Sequence, residues 1–153
     1  MNHHSYDVLI VGAGMVGATL ACALGEKAFN VAMIDTRQPA TSWPDEGYDL
    51  RVSAITRATQ RILETLDVWP KIVAERVSPY RDMHVWDAGG EGVIHFDSAE
   101  LGEASLGHIV ENRVTLKALH ERLETLDSVT FIPDVMATGL EIDDSQVDRK
   151  STR

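Results

Sequence analysis

The sequence is poor in cysteine, aromatic residues, basic charge and long apolar runs, and each shortage removes a class of protein. A single cysteine, Cys22, makes an internal disulfide impossible, which suits a reducing compartment. It lies among Ala18 and Ala21 at helical spacing, the setting of a buried space-filler more than of a reactive thiol. Fourteen Lys and Arg against 24 Asp and Glu leave a formal net charge of -10. Such a surface repels a phosphate backbone or an anionic membrane, so nucleic acid is not an expected partner. No apolar stretch reaches the roughly 20 residues that span a bilayer, and the first apolar run is short and preceded by Asp7, unlike a secretory leader. Cytosol is the default compartment. The six histidines show no metal-ligand spacing, no metal site is expected, and no catalytic triad is found. His84 and His95 fall on opposite arms of a predicted hairpin, and paired surface histidines explain them.

What is present begins with Asp7 to Asp35, DVLIVGAGMVGATLACALGEKAFNVAMID. Its order reads strand, tight turn, helix, strand. Gly12 lets the chain turn off the first strand, Gly14 lets backbone approach a pyrophosphate, and Gly17 lets the helix lie close to the sheet. The helix start, from Met15, offers unpaired N–H groups and the positive end of its dipole to phosphates. Asp35 lies 23 residues after Gly12, at the tip of the second strand, where a carboxylate accepts from ribose hydroxyls and repels a 2'-phosphate. A glycine turn of this kind is a weak signal alone; strand, helix, second strand and terminal acid in register make it a dinucleotide site.

Further along, residues 36–50 carry Pro39, Pro44 and Gly47 and read as a loop. Ser53 or Thr56 caps a helix with apolar positions Ile55, Ile62, Leu63 and Leu66, and Pro70 opens a second short helix, 71–75. Met83 and Val85 then alternate with His84 and Trp86, a glycine-rich turn follows, and residues 93–96 return as a strand, predicting a β-hairpin. Met83, Trp86 and Phe96 suit either a substrate cavity or packing between two sheets. Asn112 caps an amphipathic helix with a stripe of Leu116, Leu119, Leu123 and Leu126. Val129 to Ile132 fits a third parallel strand, Val135 to Ile142 a further strand, and Asp143-Asp144 a turn. The tail from Ser145 has only Val147 as an apolar residue and is expected to fray.

Four stretches in this order, DVLIVGAGMVGATLACAL, DLRVSAIT, SPYRDMHVWDAGG and LGHIVENRVTLKAL, resemble the N-terminal portion of flavin-dependent aromatic hydroxylases, specifically the ubiquinone-biosynthesis hydroxylase family. The resemblance runs from about Tyr6 to Ile142. It implies an α/β fold, a Rossmann-like FAD/NAD(P)-binding fold with a parallel sheet, plus a hairpin of about 80–97 that begins a second, substrate-domain sheet. Residues 1–142 are then the FAD-binding portion and 143–153 the frayed tail. The implied cofactor is FAD, on Gly12, Gly14, Met15, Gly17 and Asp35, with Arg51 near the flavin and Arg113 helping to hold it. Read without the resemblance, Arg51 beside Asp49 is equally a loop ion pair and Arg113 beside Glu111 a solvated helix start. The implied reaction is aromatic-ring hydroxylation with O2 and reduced flavin on a polyprenylated phenol or quinone precursor, with NAD(P)H or another electron donor. Peripheral association with the inner membrane or with a multi-enzyme assembly is implied as well. No residue is identified as catalytic.

Two residues depart from the pattern: Ala28 and Asp67 stand where the fingerprint or the relatives tend to have glycine. The family's chains are also more than twice as long, so the sequence is expected to be a truncated portion whose uncovered sheet edges favour self-association. The alternative of a different class is a non-catalytic fragment that binds adenine dinucleotide weakly or associates only with protein. An NAD-dependent oxidoreductase is disfavoured, because no catalytic residue set follows the fold.

Overall fold

The computed structural model describes residues 5–40, 42–44, 47–142 and 147–152. In chain order these form β1 (Val8–Val11), α1 (Met15–Gly25), β2 (Val31–Ile34), β3 (Val52–Thr56), α2 (Arg57–Thr65), α3 (Trp69–Glu75), β4 (Ser78–Tyr80), β5 (Asp82–Trp86) and β6 (Val93–Asp97). A short 3₁₀ turn, Ala99–Leu101, precedes β7 (Gly107–Glu111), α4 (Asn112–Leu123), β8 (Val129–Ile132), β9 (Met136–Ile142) and β10 (Val147–Thr152). The chain divides into two compact units, Met1–Pro44 with Leu116–Arg153, and Asp45–Thr115.

In the first unit β1, β2 and β8 form a parallel sheet in the order β1-β2-β8, with Val31 opposite both Val8 and Val129. All four residues of β2 are buried, which explains why its sequence is a continuous apolar run without alternation. The small residues Ala18, Ala21 and Cys22 form the buried face of α1. The Cys22 thiol lies 3.8 Å from the Leu119 carbonyl of α4, and burial pushes its pKa up to about 11, as befits an inert thiol. β9 pairs antiparallel with β10. The tail therefore forms a strand where fraying was expected: a backbone ladder supplies the pairing that its apolar content does not. The turn expected at Asp143-Asp144 lies outside the described residues.

The second unit holds an antiparallel sheet in the order β3-β7-β4 and the separate hairpin β5-β6. Strand β3 corrects the sequence reading, which placed Ile55 on a helix. Of its inward positions Ile55 is buried, but Ser53 is polar and donates its hydroxyl to Asn112 Oδ1 at 2.6 Å, so no apolar alternation marks the strand. Thr56 does cap α2, accepting from the Thr59 N–H at 3.3 Å. Pro70 sits in the first turn of α3, where its missing N–H costs nothing. Leu63, Leu66, Val68, Trp69, Ile72 and Val110 make the unit's core.

The hairpin forms as predicted, with Met83 opposite Phe96, His84 opposite His95 and Trp86 opposite Val93. The two imidazoles stack with centroids 4.0 Å apart. Met83, Trp86 and Phe96 are 41%, 70% and 42% exposed, so packing between two sheets does not account for them. Among the described residues no group of three or more His, Cys, Asp or Glu is placed to hold a metal ion.

Ala28 and Asp67 turn out to share a backbone state, with φ of 62° and 59°. Each ends a helix in the same way: Phe29 N–H bonds Leu24 O and Ala28 N–H bonds Gly25 O, while Val68 N–H bonds Leu63 O and Asp67 N–H bonds Glu64 O. This is the Schellman arrangement, whose left-handed residue is usually glycine. A left-handed alanine costs about 1–2 kcal/mol, partly offset by its lower unfolded-state entropy. Ala28→Gly is accordingly expected to raise stability by about 1 kcal/mol in urea unfolding, and Asp67→Gly by less, because aspartate tolerates this conformation better. An unchanged midpoint in Ala28→Gly would show that the helix end carries no strain.

Candidate functional site

The turn after β1 is built by two contacts that only glycine permits. Gly12 has φ of 108° and donates its N–H to Ile34 O at 2.8 Å, tying the turn to the end of β2. A Cβ on Gly17 would be driven into the carbonyl oxygen of Gly12, so the first turn of α1 lies directly against the strand end. The first i→i−4 bond of α1 runs from Ala18 N–H to Gly14 O at 2.9 Å. The N–H groups of Gly14, Met15, Val16 and Gly17 thus precede the helix ladder, and no side chain caps them. A Cβ at Gly12 or Gly14 would meet nothing within 4 Å, so the space over the turn is open. Open space, uncapped donors and a positive dipole end fit a pyrophosphate.

Asp35 follows β2 and reaches back to this turn. Its Oδ2 accepts the Ala13 N–H at 2.7 Å and its Oδ1 the Arg37 N–H at 3.0 Å. Burial alone would raise its pKa, but these N–H donors and Thr36 outweigh it and hold the carboxyl below the usual range. Oδ1 also accepts the Thr36 hydroxyl at 3.5 Å, so Oδ2 is the oxygen that keeps a second lone pair with which to meet a ribose hydroxyl. A residue that motif reading missed completes the turn: buried His120 places Nε2 3.1 Å from Ala13 O and its ring in a T-shaped contact with Phe131. Its one trace in the sequence is a polar side chain set among Leu116, Leu119 and Leu123.

Arg51 and Arg113 belong to the second unit. Arg113 directs Nε and Nη2 at Glu111 Oε2, at 2.8 and 2.7 Å, and Nη2 also at Gly47 O at 3.1 Å. From the other side Arg76 Nη2 lies 2.5 Å from Glu111 Oε1 and 3.3 Å from Gly47 O, its guanidinium over the Tyr48 ring at 4.3 Å. The Asp49 N–H donates to Glu111 Oε2 at 2.7 Å. Arg51 is exposed; its N–H donates to Asp49 Oδ1 at 3.2 Å, and its carbonyl accepts the Asn112 N–H at 2.9 Å. Buried Glu111 therefore gathers two arginines and the 47–51 loop, a role the sequence reading did not assign to it. Its neighbour Arg113 is paired, not solvated.

Burial would push the Glu111 carboxyl up, yet the Asp49 N–H, Arg113 and Arg76 together bring it below its ordinary 4.5. A lowered folded-state pKa stabilises the fold above the unfolded value, and that stabilisation is lost as pH falls through the folded value. Glu111→Gln is expected to cost about 2 kcal/mol at pH 7, less than a fully buried pair because both arginines keep some solvent. The gap from wild type should shrink below about pH 4.5 in acid-dependent urea unfolding. A gap constant from pH 3 to 7 would show that the carboxylate charge is not what holds the cluster.

Residues 5–152 match the family described as FAD binding domain. The chain is 41% identical over 137 residues to ubiquinone hydroxylase UbiL of Rhodospirillum rubrum, covering 90% of this chain and 31% of that protein. It is 39% identical over 131 residues to 3-demethoxyubiquinol 3-hydroxylase of Escherichia coli, covering 86% and 33%. Among solved structures, the flavin-dependent monooxygenase PieE in complex with FAD and substrate superposes with a TM-score of 0.74 at 16% identity, over 99% of this chain and 28% of that one. The p-nitrophenol 4-monooxygenase PnpA of Pseudomonas putida does so with 0.71 at 19% identity, over 94% and 35%. These structural likenesses establish the fold, and the chain spans about a third of the length of the two curated relatives. With nearly every residue inside the match, the chain belongs to the FAD binding domain family and its cofactor is FAD.

Proposed function

We propose that this chain is the N-terminal, FAD-binding portion of a flavin-dependent monooxygenase that hydroxylates the aromatic ring of a ubiquinone precursor with O2. The observation that carries the reading is the pair of hydroxylases, both named for ubiquinone chemistry, that match 86–90% of the chain at 39–41% identity. The uncapped turn of Gly12, Gly14, Met15 and Gly17 supports it, as a backbone cradle of the kind that chemistry requires.

FAD, when bound, supplies the oxygen-activating redox chemistry. This chain's residues hold it: the turn N–H groups take the pyrophosphate, Asp35 takes the adenosine ribose, and Arg51 and Arg113 are further cofactor contacts. NAD(P)H or another donor supplies the electrons. The substrate is a polyprenylated phenol or quinone, which partitions into bilayers, so the full-length enzyme works at the inner membrane surface or within an assembly there. No helix among the described residues is long and apolar enough to cross a membrane. The isolated chain has the weaker activity of a part: loose dinucleotide binding and, through exposed Val16, Leu20, Trp86 and Ile94, self-association.

The test replaces the matching region of the Escherichia coli 3-demethoxyubiquinol 3-hydroxylase with this chain and assays hydroxylation of its substrate, beside the visible spectrum of the isolated chain. The expected result is a yellow, active chimera and an isolated chain with little retained flavin. A folded chimera that binds FAD and hydroxylates nothing overturns the ubiquinone reading. An isolated chain that is stoichiometrically yellow and oxidises NAD(P)H in the presence of a phenol overturns its status as a part.

A further inference from the structure

We infer that His120 is a positioning residue for the cofactor turn, holding the Ala13–Gly14 peptide so that the Gly14 N–H faces outward toward the ligand; the inference rests on the dinucleotide reading of that turn. Ala13 is buried to 4% exposure and His120 to 6%. A buried carbonyl needs a donor, and Ala13 O has His120 Nε2 at 3.1 Å, supplied from a helix 107 residues further along the chain. A carbonyl only accepts, so Nε2 carries the proton.

The consequence for the ligand follows from peptide planarity. No peptide bond among the described residues is cis, and across a trans peptide the C=O and the next N–H point in opposite directions. Drawing Ala13 O toward α4 therefore turns the Gly14 N–H away from α4, to the exposed side of the turn, where Gly14 meets open space. The preceding peptide plane is fixed separately, by the Ala13 N–H on Asp35 Oδ2 at 2.7 Å. Both planes of Ala13 are thus pinned, one by an acid and one by an imidazole. Such pinning matters because Gly12 and Gly14, which flank Ala13, offer little steric resistance to rotation of either plane. The imidazole also packs against Phe131 in a T-shaped contact, with centroids 5.1 Å apart.

The experiment uses the 153-residue chain, with ADP as the probe and backbone amide NMR as the readout, which detects millimolar binding. His120→Phe fills the same space without a donor, and His120→Gln restores an N–H. The expected results are a wild-type imidazole protonated at Nε2, a shifted Gly14 amide in His120→Phe, ADP binding weakened about tenfold in that variant, and recovery to within about threefold in His120→Gln, the scale of one well-placed hydrogen bond. An imidazole bare at Nε2, or His120→Phe binding ADP as wild type does, overturns the clamp. If ADP moves no turn amide in wild type, the dinucleotide reading falls and the clamp's purpose with it, whatever the tautomer. Should His120→Phe fail to fold, the tautomer and the His120→Gln titration decide: Nε2 protonated with binding retained supports the clamp, and either one failing overturns it.

Discussion

A methyl group on residue 17 would need the volume that the Gly12 carbonyl oxygen already fills. That contact sets how near the first turn of α1 comes to the end of β1, and the chemistry of the turn follows from the distance. With the helix so close, the chain must reverse within a few residues, which places Gly12 at positive φ and leaves the donors of residues 14 to 17 clustered and uncapped. A capping side chain would satisfy one of those donors and stabilise the helix over glycine by a few tenths of a kcal/mol. Glycine at the cap forgoes that gain and keeps the donors for a ligand.

The same economy governs charge. A chain of net charge -10 that takes an anionic dinucleotide works against its own field. The first turn of α1 contains no acidic residue, so the helix dipole there is uncompensated and the backbone presents the positive potential that lysines would supply elsewhere. Two carboxylates set into the units are tied to N–H donors: Asp35 to Ala13 and Arg37, Glu111 to Asp49 and two arginines. Their charges are taken up largely by the protein's own N–H donors and guanidinium groups.

Which parts were legible in the sequence depends on how far apart the interacting residues lie. The first strands, the glycine turn and the β5-β6 hairpin were readable because spacing within a few residues defines them. Strand β3 was not, since its inward Ser53 is satisfied by Asn112 and leaves no apolar alternation to see. Nor were His120 on Ala13 and Arg76 on Glu111, because no local period links residues 107 or 35 positions apart. Ala28 and Asp67 were visible as exceptions to a glycine habit, but the reason, a left-handed residue closing each helix, required the backbone.

Asp35 shows why a fold requirement and a ligand requirement are hard to separate at this turn. Its two oxygens each receive a backbone N–H, from Ala13 and from Arg37. An asparagine has one acceptor oxygen where the aspartate has two, so substitution to asparagine leaves one of those donors facing an amide N–H. Where the lost acceptor is the one facing the Ala13 N–H, Ala13 keeps only the His120 contact at its carbonyl, and the turn is loosened before any ribose arrives. Loss of binding in such a variant therefore reports on the turn as much as on the ribose. A contact with the ribose itself is isolated only by varying the ligand, with 2'-deoxy and 3'-deoxy adenosine diphosphates compared on the wild-type chain, since these change the hydroxyls and leave the protein's hydrogen bonds intact.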